Sequence, residues 1–226
     1  MPPSQRPAKG HANIEEFRRA STALISDNLG RLVAARGLRP FHKGGMMIGR
    51  ALTVRTRAGD NLVVHEALER IIPGDVLVVD GGGDESRALV GEIIVAIARA
   101  RGAAGIVIDG AIRDVREIGA GEFPCFARSV THAGPYKDGP GEIGVPVNIG
   151  GMVVQPGDVV VGDEDGVVAF PESLVDRLLD AVNAQLAREA EILRSIAEGR
   201  YEGSYGRRRE DEGQSLVAGE EQDRSS

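Results

Sequence analysis

Apolar residues recur in two different patterns along the middle of the chain, and the change of pattern predicts its central elements. Residues 76–79, Val-Leu-Val-Val, form a continuous apolar run that predicts a short buried strand. The next apolar residues have the i, i+3, i+4, i+7 spacing of an amphipathic helix: Val90, Ile93, Ile94 and Ile97. Arg101-Gly102 predicts the end of that helix, and Ile106-Val107-Ile108 predicts a second buried strand.

Strand, helix and strand in this order predict a βαβ unit, whose strands are parallel and whose crossover is right-handed. The carboxyl ends of both strands then open at the same edge of the sheet. The first strand runs into a glycine-rich turn, Gly81–Gly83, and the second runs toward Arg113-Asp114. We therefore expect the turn and the Arg113-Asp114 pair to share one crevice, the usual ligand position in an open α/β sheet.

The spacing of apolar residues also predicts the elements in the rest of the chain. These are, in chain order, helices over 14–20 and 22–36, a strand over 48–56, a helix over 62–72, a strand over 123–127, an antiparallel meander over 146–170 and a long last helix from Pro171-Glu172. In the second of these segments Ser26-Asp27 is the candidate cap for the turn that ends near Gly37, and a functional role for the pair is the alternative. Residues 1–12 and 201–226 are expected to be disordered, so that a single domain spans 13–200.

Length and composition narrow the class of protein. With 226 residues, of which 42% are hydrophobic, the chain is long enough for one sizeable core. A formal net charge of −7 argues against nucleic acid as a partner, because phosphate contacts need a basic face. No membrane span or secretory signal is predicted, so a cytoplasmic location is expected. Cys125, the single cysteine, lies in an apolar run and is predicted to be a buried, unreactive thiol.

The predicted crevice collects complementary chemistry. Backbone N–H groups from Gly91 to Ile94, at the start of the helix, can hold a small anion, and Arg113 can bind a carboxylate with its guanidinium fork. Asp114 and Glu92 are hard oxygen ligands for a divalent cation. Together they suit a 2-oxo acid. On spacing alone, the alternative of a surface ion pair beside a turn that only packs is favoured, because structural ion pairs are commoner than sites.

Longer motifs around these residues resemble a known family. They are Gly91-Glu92, 105–110, Arg113-Asp114 with Glu117, 123–128, 145–147, 156–158 and 163–168. These motifs are similar to those of the family that holds the 4-hydroxy-4-methyl-2-oxoglutarate aldolases and the RraA-type regulators of ribonuclease E. The resemblance covers about residues 20 to 200.

The resemblance implies an α/β fold with a layered, swivelling-domain-like (phosphohistidine-domain-like) sheet, a βαβ core and a C-terminal helix. It implies a divalent-metal-dependent lyase that cleaves a 4-hydroxy-2-oxo acid to pyruvate, with decarboxylation of oxaloacetate as a second reaction. The other class of function that it implies is a protein-binding regulator of ribonuclease E without physiological lyase activity. A metal-dependent assay for pyruvate release separates the two.

The resemblance also implies roles for single residues. Asp114 holds Mg²⁺ or Mn²⁺ directly and Glu92 holds it through water, while Arg113 and the metal polarise the substrate. The substrate carboxylate binds the backbone of Gly91, Glu92, Ile93 and Ile94. Aldolases of the family often have Asp where this chain has Glu92, and the extra methylene puts substrate choice in doubt.

Assembly is the last expectation that the resemblance gives. It implies a homotrimer or a dimer of trimers with the active site between subunits. Glu189 or Glu191, on the predicted last helix, would then supply a third acid to the metal from a neighbouring subunit. The alternative is a solvated helix face with i, i+3 charge pairs. Neither nucleic acid nor membrane is an expected partner.

Overall fold

The computed structural model describes residues 14–30 and 34–203, and the contacts of the chain divide it into two compact units, Met1–Leu186 and Ala187–Ser226. The strands, in chain order, are β1 (Arg39–Pro40), β2 (Met47–Thr56), β3 (Asp75–Asp80), β4 (Ala88–Val90), β5 (Gly105–Ile112), β6 (Cys125–Val130), β7 (Gly141–Ile143), β8 (Val147–Ile149), β9 (Met152–Val154), β10 (Val159–Asp163) and β11 (Gly166–Phe170). The helices are α1 (Thr22–Asn28), α2 (Leu62–Leu68), α3 (Glu92–Ala100), α4 (Val115–Ala120) and α5 (Val175–Ala197), with 3-10 turns at Ile14–Arg19 and Glu172–Leu174. None of the described helices combines the length and the apolar character needed to cross a membrane.

A mixed sheet of nine strands forms the centre of the first unit. Its order is β1-β6-β5-β3-β2-β10-β11, with β4 also paired to β5 and β7 to β2, while β8 and β9 form a separate hairpin. β3 and β5 pair in parallel from Val76↔Gly105 to Asp80↔Asp109, and α3 lies between them in the chain. The predicted βαβ unit and the mixed α/β class are therefore confirmed. The finer likeness to a swivelling domain stays a prediction, as do the domain bounds 13–200.

Both faces of the central strands are covered, which explains why their sequences are apolar at successive positions. Leu77 and Val79 of β3 belong to a core cluster with residues of α2 and α3. Val76 and Val78 point to the other face and pack with the β8–β9 hairpin. The strands predicted over 146–170 are antiparallel within each pair, β8 with β9 and β10 with β11, but they form two hairpins in different sheets and not one continuous meander.

The predicted helix over 22–36 is too long. α1 ends at Asn28, and Gly30 adopts a φ of +75°, a conformation that ends helices. The N-cap of α1 is Ser21, whose side chain accepts the Leu24 N–H, and Ser26 and Asp27 lie inside the helix; their capping of a turn near Gly37 stays a prediction. The helix predicted over 62–72 likewise ends earlier, at Leu68, the last residue of α2. The segments predicted to be disordered lie almost entirely outside the described residues.

Helix α3 begins later than its pattern predicts. Val90 belongs to the unpredicted strand β4, and the helix starts at Glu92. Ile93, assigned to the apolar face, is 70% exposed, whereas Ile94 and Val95 are buried. The misreading arose because an apolar strand residue directly precedes the helix and fits its spacing by coincidence. One consequence is that the start of α3 places an apolar side chain in solvent.

Candidate functional site

Strands β4 and β5 bring two distant segments of the chain together. They pair in parallel, and the Arg113 N–H donates to Val90 O at 3.0 Å. Gly91 and Glu92 directly follow β4, while Arg113 and Asp114 directly follow β5. We call these four residues, Gly91, Glu92, Arg113 and Asp114, the junction. The structure thus brings the main predicted site residues side by side at the ends of two adjacent strands.

The carboxylate of Asp114 binds the start of α3. The Glu92 N–H donates to Asp114 Oδ2 at 3.0 Å, and Arg113 Nε lies 3.7 Å from the same oxygen. A Cβ atom on residue 91 would collide with Asp114 Oδ2 and would lie 3.1 Å from Arg113 Nε. This close approach of backbone to two charged side chains therefore requires a glycine at position 91.

The backbone of Asp114 has an unusual conformation. Its φ of 58° and ψ of 37° lie in the left-handed region, and no other non-glycine residue within 14–30 and 34–203 has a positive φ. This conformation costs about 1 kcal/mol for a residue with a side chain. Asp114 occupies the N-cap position of α4, yet its side chain makes no cap hydrogen bond to that helix. The carboxylate reaches to the start of α3 instead.

Several polar atoms of the junction are available to a ligand. The side chains of Arg113 and Asp114 are 44% and 40% exposed. Among the residues that the structure describes, Asp114 Oδ1 and the Glu92 carboxylate have no hydrogen-bond or ion-pair partner. An exposed ion pair of this kind contributes only about 0–1 kcal/mol. The arrangement therefore contributes little to stability and leaves oxygen ligands beside a guanidinium group.

These oxygen atoms fit a small hard cation. Mg²⁺ typically takes one or two carboxylates and keeps several waters, which an exposed site can supply. Within the described part of the chain, no group of three or more His, Cys, Asp or Glu side chains is placed to hold a metal. A cation at the junction would therefore rest on Asp114 and Glu92, with water or a ligand from elsewhere completing its shell.

The two other predicted metal ligands lie in the second unit. Glu189 and Glu191 belong to the C-terminal part of α5. Glu191 Oε2 accepts a hydrogen bond from Arg194 Nη1 at 2.7 Å, the i, i+3 pair of a solvated helix face. Their role as ligands from a neighbouring subunit concerns a second copy of the chain, and it stays a prediction.

The predicted anion cradle at the start of α3 is smaller than expected. Of the N–H groups from Gly91 to Ile94, that of Glu92 already donates to Asp114. The first N–H groups of a helix have no acceptor inside that helix, and the first such bond of α3 joins the Val95 N–H to Gly91 O. The N–H groups of Gly91, Ile93 and Ile94 are thus the donors that remain for an anion.

The glycine-rich turn contacts a different part of β5 from the junction. The N–H groups of Gly81 and Gly83 both donate to Asp109 O, at 3.2 and 3.1 Å. The Asp109 side chain forms an ion pair with Arg128. The turn lines a pocket with Asp109 and Arg128 that includes neither Arg113 nor Asp114, so the prediction that the turn and this pair share one crevice was wrong.

A loop over residues 131–140 packs beside the junction. Arg87 Nη1 donates to Gly134 O at 2.7 Å, and a Cβ atom on residue 134 would lie 3.4 Å from Arg113 Nη1. The guanidinium carbon of Arg87 also lies 4.1 Å from the centre of the Tyr136 ring. The loop therefore borders the guanidinium group of Arg113, and Arg87 holds it in place.

The buried carboxylate of Asp60 anchors the same loop. Asp60 Oδ2 accepts the N–H groups of Asp138 and Gly139 at 2.8 and 3.0 Å, and Oδ1 accepts the Leu62 N–H at 2.9 Å. Burial alone raises the pKa of this carboxyl, but the three backbone N–H groups and the Arg57 guanidinium outweigh it and hold the pKa below its usual 3.8. Sequence analysis missed this anchor. Its one signal was an Asp just before the predicted helix at Leu62, a position typical of caps.

Two other titratable groups have shifted pKa values that bear on the chemistry. Burial raises the pKa of the Cys125 thiol to about 12, which confirms the prediction of a buried, unreactive cysteine. Burial, and then the positive charge of Lys137, lower the pKa of His65. A neutral imidazole can accept a hydrogen bond, in keeping with the 3.3 Å between Lys137 Nζ and His65 Nε2.

Comparison with known proteins agrees with this arrangement. The RraA-like family, described as Aldolase/RraA, matches residues 22–169 of the chain. A protein of Halalkalibacterium halodurans, provisionally named a 4-hydroxy-4-methyl-2-oxoglutarate aldolase, is 39% identical over 82% of this chain and 89% of its own. The family match thus contains the whole of the junction.

Two solved structures share the fold. RraAS2 of Streptomyces coelicolor, described as an unusual member of the RNase ES inhibitor RraA protein family, is 30% identical with a TM-score of 0.70, over 87% of this chain and 99% of that one. The RNA-processing inhibitor RraA from Thermus thermophilus is 35% identical with a TM-score of 0.62, over 68% of this chain and 93% of that one. Family match, relatives and fold agree, and the chain belongs to the RraA-like family.

Proposed function

We propose that the protein is a divalent-metal-dependent lyase that cleaves a 4-hydroxy-2-oxo acid, of the 4-hydroxy-4-methyl-2-oxoglutarate kind, and releases pyruvate. The observation that carries this proposal is the junction. Unpaired oxygen atoms of Asp114 and Glu92 meet an exposed Arg113 there, beside the first N–H groups of α3. The aldolase name of the relative from Halalkalibacterium halodurans supports the same reaction class.

Each group of the junction has a role in holding a 2-oxo acid. Asp114 would hold Mg²⁺ or Mn²⁺ directly, and Glu92 would hold it through water. When bound, the cation supplies positive charge that polarises the 2-oxo group. Arg113 binds the substrate carboxylate with two parallel hydrogen bonds, and the N–H groups of Ile93 and Ile94 donate to that carboxylate as well.

The proposed reaction breaks the bond between carbons 3 and 4 of the substrate. The 4-hydroxyl group loses its proton and becomes the carbonyl of the second product, while the bonding electron pair stays on the pyruvate fragment as an enolate until a proton is added. Arg113 stabilises the negative charge of this fragment. A Schiff-base route needs a lysine, and the central segment from Gly74 to Glu117 contains none.

Decarboxylation of oxaloacetate leaves the same pyruvate enolate, and we include it as a second reaction of the same residues. The substrate preference between the two reactions would depend on Glu92, whose carboxylate is one methylene farther from the backbone than the Asp found in many family aldolases. The loop over residues 131–140 would also contribute, because Gly134 borders Arg113.

The test is a panel of 2-oxo acids, including 4-hydroxy-4-methyl-2-oxoglutarate and oxaloacetate, assayed for pyruvate release with Mg²⁺, with Mn²⁺ and with a chelator. We expect release from at least one 4-hydroxy-2-oxo acid, its loss with chelator and its recovery when metal is added back. Pyruvate release that is unaffected by chelator would contradict the metal assignment. No release from any substrate would contradict the lyase.

We also propose a trimer or a dimer of trimers in which Glu189 or Glu191 of one subunit completes the metal shell of another. Light scattering tests the assembly, since a monomer excludes a shared site. Inactive Asp114→Ala subunits mixed with inactive Glu191→Ala subunits should regain activity in hybrid oligomers, because some sites then combine two intact halves. If neither Glu191→Ala nor Glu189→Ala loses activity, the shared ligand is absent.

A second candidate function is a protein-binding regulator of ribonuclease E type. The observation that favours it is the likeness to two solved structures described as an RNA-processing inhibitor and as a member of an RNase ES inhibitor family. Inhibition of a purified ribonuclease E by this protein, retained in Asp114→Asn and in the presence of chelator, would support this function. Inhibition that disappears with either change would indicate an effect of the lyase site instead.

A further inference from the structure

A pocket of about 200 Å³ is lined by none of the junction residues. It is enclosed by the end of β3, the middle of β5, the end of β6 and the turn between β8 and β9. The side chains that line it are those of Asp80, Asp109, Arg128 and Asn148, and the rest of the wall is glycine backbone. The volume suits a small metabolite, because pockets for drug-sized ligands start at about 300 Å³.

Arg128 leaves one edge of its guanidinium group unused. Its Nε donates to Asp109 Oδ1, while Asp109 Oδ2 accepts the Gly150 N–H at 3.0 Å. Neither Nη1 nor Nη2 of Arg128 has an acceptor among the described residues. The two Nη atoms form the planar fork that binds a carboxylate through two parallel hydrogen bonds. The pocket thus contains a donor pair that matches an external carboxylate.

Asp80, in contrast to Arg128, needs a hydrogen-bond donor on the ligand. Its Oδ1 accepts the Gly82 N–H at 2.9 Å and its Oδ2 accepts the Asn148 N–H at 3.0 Å. Each carboxylate oxygen can accept two hydrogen bonds, so each keeps a position for a ligand. The Asn148 side-chain oxygen accepts the Gly151 N–H at 2.8 Å, and its amide nitrogen remains a donor without a described acceptor.

Net charge decides between classes of ligand. With both carboxylates ionised, two negative charges and one positive charge leave the pocket at −1. A simple anion would pair with Arg128, but it would make the net charge of the pocket −2 and would be repelled by Asp80. A simple cation would pair with Asp80 but would leave the Arg128 fork unused. A zwitterion satisfies both groups and leaves the net charge unchanged.

We propose that this pocket binds a small zwitterionic 2-amino acid, with its carboxylate on Arg128 and its ammonium group on Asp80. Asn148 donates its amide N–H to the carboxylate as an additional contact. The site is independent of the proposed lyase, since it uses none of the junction residues. It is also independent of metal, since each ligand group is matched by a protein side chain.

Isothermal titration calorimetry in the presence of a chelator tests the proposal with three matched probes. L-alanine has both groups, propionate lacks the ammonium group and L-alanine amide lacks the carboxylate. We expect L-alanine to bind and each of the other two to bind at least about 10-fold more weakly, because each lacks one of the two charged groups that the pocket pairs. No binding of L-alanine, or equal binding of all three probes, would overturn the proposal.

Variants locate the binding. Arg128→Lys keeps a positive charge beside Asp109 but lacks the fork, and Asn148→Asp keeps the acceptor for Gly151 but replaces a donor with negative charge. Both substitutions should lower the affinity for L-alanine by about 10-fold or more, whereas Arg113→Ala should leave this affinity unchanged. Because Asn148 is exposed, Asn148→Asp gives an answer even if Arg128→Lys fails to fold. Loss of binding in Arg113→Ala with retention in Asn148→Asp would place L-alanine at the junction and overturn the proposal.

Discussion

Asp60 and Asp114 are both aspartates at the start of a short helix, but their carboxylates have opposite surroundings. The Asp60 side chain is fully buried and accepts three backbone N–H groups, from Leu62, Asp138 and Gly139. The Asp114 side chain is 40% exposed and accepts one backbone N–H, and its backbone has a positive φ. The first carboxylate has nearly all of its hydrogen-bonding capacity used by the protein, and the second does not.

The same residue type can therefore have either a structural or a chemical role. Asp60 connects α2 to the loop over 131–140, whose backbone is also hydrogen-bonded at Ala133, Gly134 and Tyr136. Asp114 contributes little to the fold, and a strained backbone costing about 1 kcal/mol keeps its carboxylate beside Glu92. Strain without a stabilising return is typical of sites that bind a ligand. The comparison therefore predicts that the two aspartates fail in different ways when they are replaced.

The largest expected effect is on stability, from Asp60→Ala. The substitution leaves three buried backbone N–H groups without an acceptor, so we expect the free energy of unfolding to fall by about 3 kcal/mol. Urea unfolding followed by circular dichroism measures it. Asp114→Ala is the matched control. Because that carboxylate accepts one N–H, its removal should change the same free energy by about 1 kcal/mol or less. Equal losses for both variants would contradict the claim that Asp60 stabilises the fold more than Asp114 does.

The next effect is on activity, from Asp114→Asn. Asparagine tolerates the left-handed backbone and can still accept the Glu92 N–H, but it lacks the charge that a divalent cation needs. We expect kcat/KM for pyruvate release to fall at least about 100-fold, or about 2.7 kcal/mol, because even partners one step removed from a metal are worth 10–100-fold. The unfolding free energy should stay within about 0.5 kcal/mol of the original value. Normal turnover with Mg²⁺ in this variant would remove Asp114 from the metal site.

Arg113→Lys tests the proposed role of Arg113 in binding the substrate carboxylate. Lysine keeps the positive charge but cannot form the two parallel hydrogen bonds of a guanidinium group. Loss of one charge-assisted hydrogen bond of about 2 kcal/mol predicts a fall in kcat/KM of about 30-fold. Steady-state kinetics with a 4-hydroxy-2-oxo acid measure the change, and Arg116→Lys on α4 serves as a control outside the junction. Near-normal turnover in Arg113→Lys would mean that Arg113 is not the carboxylate-binding residue.

A smaller effect is expected from Ile93→Pro, which removes one of the N–H donors left at the start of α3. Proline is tolerated in the first turn of a helix, where the lost N–H has no intrahelical acceptor. We expect KM for substrate to rise about 10-fold, with the affinity for Mn²⁺ changed much less. Ile93→Ala, which keeps the donor and removes the exposed side chain, is the control. Equal losses of substrate and metal affinity would indicate local unfolding of the helix start.

Sequence analysis found what local patterns encode and missed what depends on distant contacts. The apolar runs gave β3 and β5, and the motifs gave the four residues that the structure places at the junction. β4 was missed, because a strand of three residues has too short a pattern to recognise and is defined by its pairing with β5. The anchoring role of Asp60 was missed because two of its partners, Asp138 and Gly139, lie far away in the chain. The residues that the structure brings together at the junction were therefore predictable, but the strand that positions them and the contacts that anchor the neighbouring loop were not.

The smallest expected effect is on the pH dependence of stability, which should have opposite signs for Asp60 and for another buried aspartate, Asp158. The pKa of Asp60 is held below 3.8, so its ionised form stabilises the fold above that pH, and this contribution is lost as pH falls through the lowered pKa. Burial raises the pKa of Asp158, although the Gln155 N–H opposes the shift. The native state then takes up a proton before the unfolded state does, so Asp158 becomes less unfavourable as pH falls. Measured by urea unfolding between about pH 3 and pH 7, the stability of the original protein relative to Asp60→Asn should fall on acidification, whereas its stability relative to Asp158→Asn should rise. A rise relative to Asp60→Asn would show that hydrogen bonds to Asp60 do not outweigh its burial, and a fall relative to Asp158→Asn would show that the Gln155 N–H outweighs the burial of Asp158.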